Sequence, residues 1–314
     1  MAQDQALEQN LAAVAGRGRG RPALFFWQLV VSGLSIGSLY ALVSLGIVLL
    51  YRTSRVLNFA HGEMSMIATM VAYSLLTAGG VAFGPAAVLT LAVAFAAGAS
   101  FYFLVLRPVK EATLLGQIIT TAGFALVLSG MAVVIWGADT KVLPFPLSRA
   151  VIYNIGGVFV NQVALGSFVV ALVAMLGLYL LVQKTRFGLA MRAVSQNDVA
   201  ARVLGIPVRR VFAVTWGVSA TLGAIAGMLL APVTLVHPSM MFDPFLKGFA
   251  GAVLGGLDSL PGAIVGSLII GVVENLFGGY VSTSLRTTVA FLIIIAVLLV
   301  RPEGLFGHKF MRRV

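Results

Sequence analysis

Two short runs hold the residues best suited to chemistry. Asn58, His61 and Glu63 fall in NFAHGEMSM at the start of one apolar stretch, and Glu274 with Asn275 falls in VGSLIIGVVENLF, deep inside another. An ionisable side chain in a membrane helix costs about 2.5–3.5 kcal/mol on insertion scales, so it turns toward a bundle interior or a water-filled path. Asn58 and His61, three apart, would share neighbouring faces of a helix. Two readings fit this run: a translocation path, or a helix start capped by Asn58 with Glu63 at its positive end. Glu274 must be neutral, paired or in contact with water, and a tyrosine or backbone partner fits as well as a moving substrate. No catalytic set is legible. His61, His237 and His308 are too scattered for a metal spacing, cysteine is absent, and no G-x-x-x-x-G-K-[ST] loop occurs. No cofactor or metal is expected, and any ATP hydrolysis belongs on another chain.

A third stretch, TRFGLAMRAVSQNDVAARVLGIPVRR (Thr185–Arg210), is the most basic part of a chain with 21 Lys+Arg in 314 residues. On a helix of 3.6 residues per turn, Ala193, Val194, Ala200, Ala201 and Leu204 gather on one side, interrupted by Asn197. Arg192, Ser195, Gln196, Asp198 and Arg202 gather on the other, and Asp198 with Arg202 forms an i,i+4 pair. Gly205 supplies a C-terminal stop and Pro207 prevents continuation. Val199 and Val203 stand among the polar residues as apolar knobs. Both an interfacial helix on anionic lipid and a docking element fit.

These residues must be positioned by a membrane bundle. The chain is 60% hydrophobic and 10% charged, against about 25% charged for a soluble domain. Apolar segments fall near 25–50, 59–78, 84–106, 114–136, 163–183, 211–235, 245–257, 261–277 and 285–301. Most approach the length of about 20 residues needed to cross a bilayer. The expectation is an all-α polytopic membrane protein of about 8–9 segments. The seventh segment is short and glycine-bearing, so it must be enclosed by protein. Gly33/Gly37 and Gly262/Gly266 are small-xxx-small pairs that permit close helix approach. Residues 1–22 read as a flexible Gly/Arg-rich tail without the short apolar core of a signal peptide, and residues 23–314 as the membrane domain. The basic pI reads as membrane orientation, not nucleic-acid binding. With loop 184–210 inside, 14 positive residues share its side, against Lys141, Arg149, Lys247 and Arg286 opposite. Arg17, Arg19 and Arg21 fall on the unfavoured side.

The runs NFAHGEMSM, RFGLAMRAVSQNDVAARVLGIPVRRV, GAIAGMLLAP, LKGFAGAVLGGLDSLPGAIVGSLIIGVVEN and LLVRPEGLFG, in that order, resemble the permease subunit of bacterial branched-chain amino-acid ABC importers, in the shorter of its two permease types. The resemblance spans roughly Leu34 to Gly307. It implies a type II ABC-importer-like permease in the bacterial inner membrane, with its C-terminus cytoplasmic. It also implies a second, homologous permease, two cytoplasmic ATP-binding subunits and a periplasmic substrate-binding protein. In that frame Arg192 through Gly205 forms the coupling helix, and Asn58, His61, Glu63, Glu274 and Asn275 are candidates for the translocation path. The Gly/Arg-rich tail is not a hallmark of the family, and the segment Leu114 to Trp136 and the loop GADTKVLPFPLSRAVIYNIGGVFVNQ follow it only loosely. A proton-coupled carrier of small amides or acids using Glu63 and Glu274 stays open as an alternative. A cysteine placed at Ser195 is expected to react with an impermeant maleimide only when the cytoplasmic face is opened; labelling from outside would reverse the orientation.

Overall fold

The computed structural model describes residues 22–109, 114–301 and 303–307. The expected tail up to Arg21, Lys110 and the C-terminal basic residues Lys309, Arg312 and Arg313 lie outside the described residues. The chain folds in the order α1 (Pro22–Ser54), α2 (His61–Thr77) and α3 (Phe83–Phe101), which runs on through a π-helical turn, Tyr102–Leu106, into Arg107–Val109. Then come α4 (Leu114–Trp136), β1 (Ile152–Ile155), β2 (Val158–Asn161), α5 (Gln162–Lys184), α6 (Arg186–Gln196) and α7 (Asp198–Val203). The chain closes with α8 (Val208–Thr234), α9 (Phe242–Gly255), α10 (Leu260–Tyr280) and α11 (Arg286–Val300).

All nine expected apolar segments are helices. Six of them (α1, α3, α4, α5, α8 and α10) are long and apolar enough to cross a membrane. α2, α9 and α11 are shorter, at 17, 14 and 15 residues. The β-hairpin is the one addition to an otherwise helical reading. It pairs Ile155 with Val158 around Gly156 and Gly157, whose φ angles of +62° and +91° are those a type I′ turn demands.

α1 and α8 form the centre: 83% and 78% of their most apolar windows are buried, against 17% for α4 and 28% for α3 and α5. The outer helices therefore carry the apolar surface that faces lipid or another subunit. Both glycine pairs lie at helix crossings. A Cβ on Gly33 would stand 2.6 Å from the Val272 Cα, and one on Gly37 3.0 Å from the Ser267 carbonyl, so α1 and α10 meet backbone to backbone. Gly262 and Gly266 press against Gly255 and Gly251 in the same way.

α9 is enclosed, as its length requires. Fourteen residues rise only about 21 Å, short of the ~30 Å hydrocarbon core. Ala250 through Gly255 are all buried. The last carbonyls of α9 are taken up by the segment after α11: Leu305 N–H donates to the Leu254 carbonyl (2.8 Å) and Phe306 N–H to that of Gly255 (3.0 Å). In this way a helix end inside the protein avoids unpaired backbone oxygens.

The loops sort to two ends as the charge pattern predicts. Arg55 pairs with Asp258 at 2.7 Å, residues 303–307 meet the end of α9, and Arg52 shares a small cleft with Arg192 and Ser195. At the other end Gln28 bonds to both the N–H and the carbonyl of Phe159, and Lys141 pairs backbone to backbone with Val236. The described start of α1 is therefore at the end away from the basic loop. Gly37→Leu is expected to cost at least about 1–3 kcal/mol by forcing α1 from α10. Gly177→Ala, in α5 with open space around it, is expected to be neutral or slightly stabilising. Melting of the purified variants in detergent checks both.

Candidate functional site

The basic loop is built as a rigid corner. Thr185 leaves α5 in extended conformation, and its Oγ1 accepts from the Gly188 N–H (3.0 Å) while donating to the Leu181 carbonyl (2.5 Å). Gly188 lies directly against the carbonyls of Leu181 and Val182, so α6 folds back onto the last turn of α5 with no slack between them. Met191 and Val194 enter the core, and Arg192 donates to the Gln183 side chain at 2.6 Å.

The expected single helix from Arg192 to Gly205 is instead two. Asn197 is extended (φ −159°, ψ 106°), and its Oδ1 accepts from the Ala200 N–H at 2.9 Å, capping α7. An asparagine is a better N-cap than a helix-interior residue, and the break rotates the faces. Ala201 stays buried, but Ala200 and Leu204, expected on the packed side with Val194, are exposed. Asp198 and Arg202 form the expected pair at 2.9 Å. Gly205 stops α7 at φ +79°: its N–H donates to the Arg202 carbonyl and that of Ile206 to the Ala201 carbonyl, a Schellman closure. Val199, Val203 and Leu204 are left 64%, 84% and 79% exposed on this braced frame. Gln196 is exposed beside the break, and Ser195 bonds back to the Arg192 carbonyl. An open depression lined by Arg107, Arg202, Arg209 and Arg210 adjoins α7.

The polar residues of the apolar runs fall into two groups. Asn58 is not the cap expected: the N-cap of α2 is Ala60, without a side-chain cap, and Asn58 closes the turn just before it, its Oδ1 accepting from the Ala60 N–H (3.0 Å). His61 is fully buried, packed against Gly46 and Gly223, with Nδ1 3.4 Å from the Ser219 Oγ. Glu63 is half-buried in the first turn of α2. The second group is an ion network. Glu274 is buried on α10; Lys247 of α9 donates to its Oε1 at 2.6 Å, and the Arg286 Nε lies 2.9 Å from the same oxygen. Lys247 also pairs with Asp243 at 2.6 Å and stands 5.6 Å from the centre of the Tyr40 ring. Arg286 donates to the Asn275 Oδ1 at 3.0 Å. Sequence reasoning left Asp243, Tyr40, Lys247 and Arg286 out of the site. It counted Lys247 and Arg286 as outer-end charges, whereas Lys247 is buried inside the bundle.

Comparison with known proteins bears on most of the chain. A family model described as "Branched-chain amino acid transport system / permease component" matches residues 29–298. The high-affinity branched-chain amino acid transport system permease protein LivH of Escherichia coli is 31% identical over 93% of this chain and 98% of its own length. BraD of Pseudomonas aeruginosa, of the same description, is 31% identical over 92% and 98%. A probable branched-chain amino acid transport permease protein LivH of Methanocaldococcus jannaschii is 31% identical over 89% and 92%. Breaking the buried network on one side strands a charge. Lys247→Met is therefore expected to destabilise the chain by about 3–5 kcal/mol, and Lys247→Met with Glu274→Gln by clearly less than the sum of the single changes. Thermal unfolding of the single and double variants measures this.

Proposed function

This chain belongs to the family of permease components of branched-chain amino acid transport systems, and on that premise we propose that it is a membrane-spanning subunit of an ATP-driven importer of branched-chain or related amino acids. It pairs with a second, homologous permease, engages two cytoplasmic ATP-binding subunits, and receives cargo from a periplasmic binding protein. It sits in the inner membrane with the basic end and the C-terminus cytoplasmic. The observation that carries this reading is the α6–α7 corner. Three large apolar side chains, Val199, Val203 and Leu204, are held out at the basic end by an element whose own root is packed into the core. Burying each against a partner is worth about 1.5–3 kcal/mol, and Arg192, Asp198 and Arg202 give such an interface a polar rim.

For the path of the cargo, this reading retains Glu274 and Asn275. Asn58 and His61 serve the start of α2, with Glu63 half-buried beside them. The proton-coupled alternative loses its footing at Glu274, whose Oε1 is engaged by two cations. In vesicles holding the assembled transporter, uptake is expected to require ATP and to survive collapse of the proton gradient; the opposite pattern restores the carrier reading. Val199→Asp and Asp198→Arg are each expected to abolish uptake and to cut co-purification of the ATPase subunits about tenfold or more, with membrane insertion unchanged. Recruitment at the unmodified level in both variants refutes the docking assignment.

A further inference from the structure

We infer that this chain carries its own amino-acid site, in a cavity at the end of the bundle opposite the α6–α7 corner, with Arg286 as the carboxylate receptor. The inference rests on the transport reading above and names where within the chain the cargo is recognised. The cavity is an open cleft of about 230 Å³ between α1, the start of α5, the end of α8, α10 and α11. That is smaller than the 300–1,000 Å³ of pockets for drug-sized ligands and suits a compact molecule of few heavy atoms.

Its walls divide by chemistry. Ser35, Ser167, Asn275 and Arg286 supply polar groups, while Ile36, Leu39 and Val233 supply an apolar surface. The Ser167 hydroxyl is buried and has no hydrogen-bond partner within the protein. A buried polar atom left unpaired costs about 1–3 kcal/mol; this oxygen has less than 1 Å² of accessible surface, so a guest in the cleft reaches it through a small shift of the α5 wall. Arg286 is held from behind. Its Nε lies 2.9 Å from the Glu274 Oε1 and one of its amino nitrogens donates to Asn275, contacts that hold the guanidinium at the cavity wall. Guanidinium is the side chain best matched to a planar carboxylate. An α-amino acid with a branched aliphatic side chain satisfies all three features: carboxylate on Arg286 and Asn275, ammonium on serine oxygen, and side chain on Ile36, Leu39 and Val233. Because Glu274 and the cargo carboxylate meet the same guanidinium, cargo binding acts on the ion network that also holds Lys247 of α9.

The chain has no cysteine, which makes the test direct. Ser35→Cys, in the assembled transporter in nanodiscs without ATP, reports the cavity through its rate of reaction with a small maleimide, read on this chain by mass spectrometry. L-Leucine at ten times its half-protecting concentration is expected to slow labelling about elevenfold. L-Leucinamide, which lacks the carboxylate, is expected to slow labelling no more than about twofold at the same concentration. Ser167→Ala in the same background is expected to raise the half-protecting concentration several-fold, and Arg286→Gln about tenfold or more. The leucinamide comparison leaves the Arg286 network intact, so it stands even where Arg286→Gln fails to fold. Ser32→Cys, on the same wall, serves where Ser35→Cys is inactive. ATP-driven leucine import by a variant whose cysteine leucine never protects overturns the cavity site and leaves the transport reading standing. Protection in a complex that shows no ATP-dependent uptake overturns the transport reading and leaves the site. Equal protection by leucine and leucinamide overturns the role of Arg286.

Discussion

The structure depends on the backbone contact between α1 and α10. Apolar side chains gain little by exchanging lipid for one another, so helices in a bilayer associate through close van der Waals packing and polar contacts. Gly33 and Gly37 remove the side chains that would hold α1 away, and the facing surface of α10 is its own backbone at Ser267–Leu268 and Gly271–Val272. With that pair locked, a groove exists for a helix too short to span. α9 enters it, with Gly251 and Gly255 against Ser267 and Gly262. A larger residue at any of these contacts would displace the backbone on which both ends of the molecule are built.

α9 is then fastened at both of its ends by different physics. At its C-terminal end the chain following α11 donates two N–H groups to carbonyls that water cannot reach. At its N-terminal end Lys247 and Asp243 join Glu274 and Arg286 in a set of two positive and two negative charges. The set is neutral as a group, which is the condition for keeping ions in a low-dielectric interior. It ties α9 to α10 and α11 across segments distant in sequence. Glu274, conspicuous as a lone acid in an apolar run, is therefore first a structural partner and only through Arg286 a neighbour of the cavity.

Much of this was legible in the residues because the membrane imposes simple rules. Hydropathy located the nine apolar helices among the described residues, glycine spacing located the crossings, and arginine distribution grouped the loops at one end. What escaped depended on long-range partners or on single backbone angles. Lys247 looks like an outer-end charge in FDPFLKGFAG, since nothing local announces an acid 27 residues away. The break at Asn197 was hidden because the same residues satisfy a continuous helical wheel; only the capping preference of asparagine marked it, and the wheel consequently misplaced Ala200 and Leu204. The hairpin did have a local signal, Gly-Gly between β-branched and aromatic residues in VIYNIGGVFVN, but it sits in a chain whose apolar runs otherwise all read as helices. The role of residues 303–307 as a cap for α9 had no sequence signal at all.

The corner and the cavity share α5, and this bears on how one could serve the other. Ser167 lies in the second turn of α5 and Thr185 directly after its last turn, a separation of about 27 Å at 1.5 Å per residue. No proline interrupts the helix between them, and α6 is joined to it without a linker: the Thr185 hydroxyl is bonded in both directions and Gly188 rests on the carbonyls of α5 itself. A flexible joint at this point would let α6–α7 move while α5 stayed still. The joint between α5 and α6 is instead close-packed, backbone against backbone, so α6 is braced directly on the last turn of α5. The start of α5 forms part of the wall of the cavity, and α10 and α11 contribute Asn275 and Arg286 to it, so one continuous helix links the corner to the cavity.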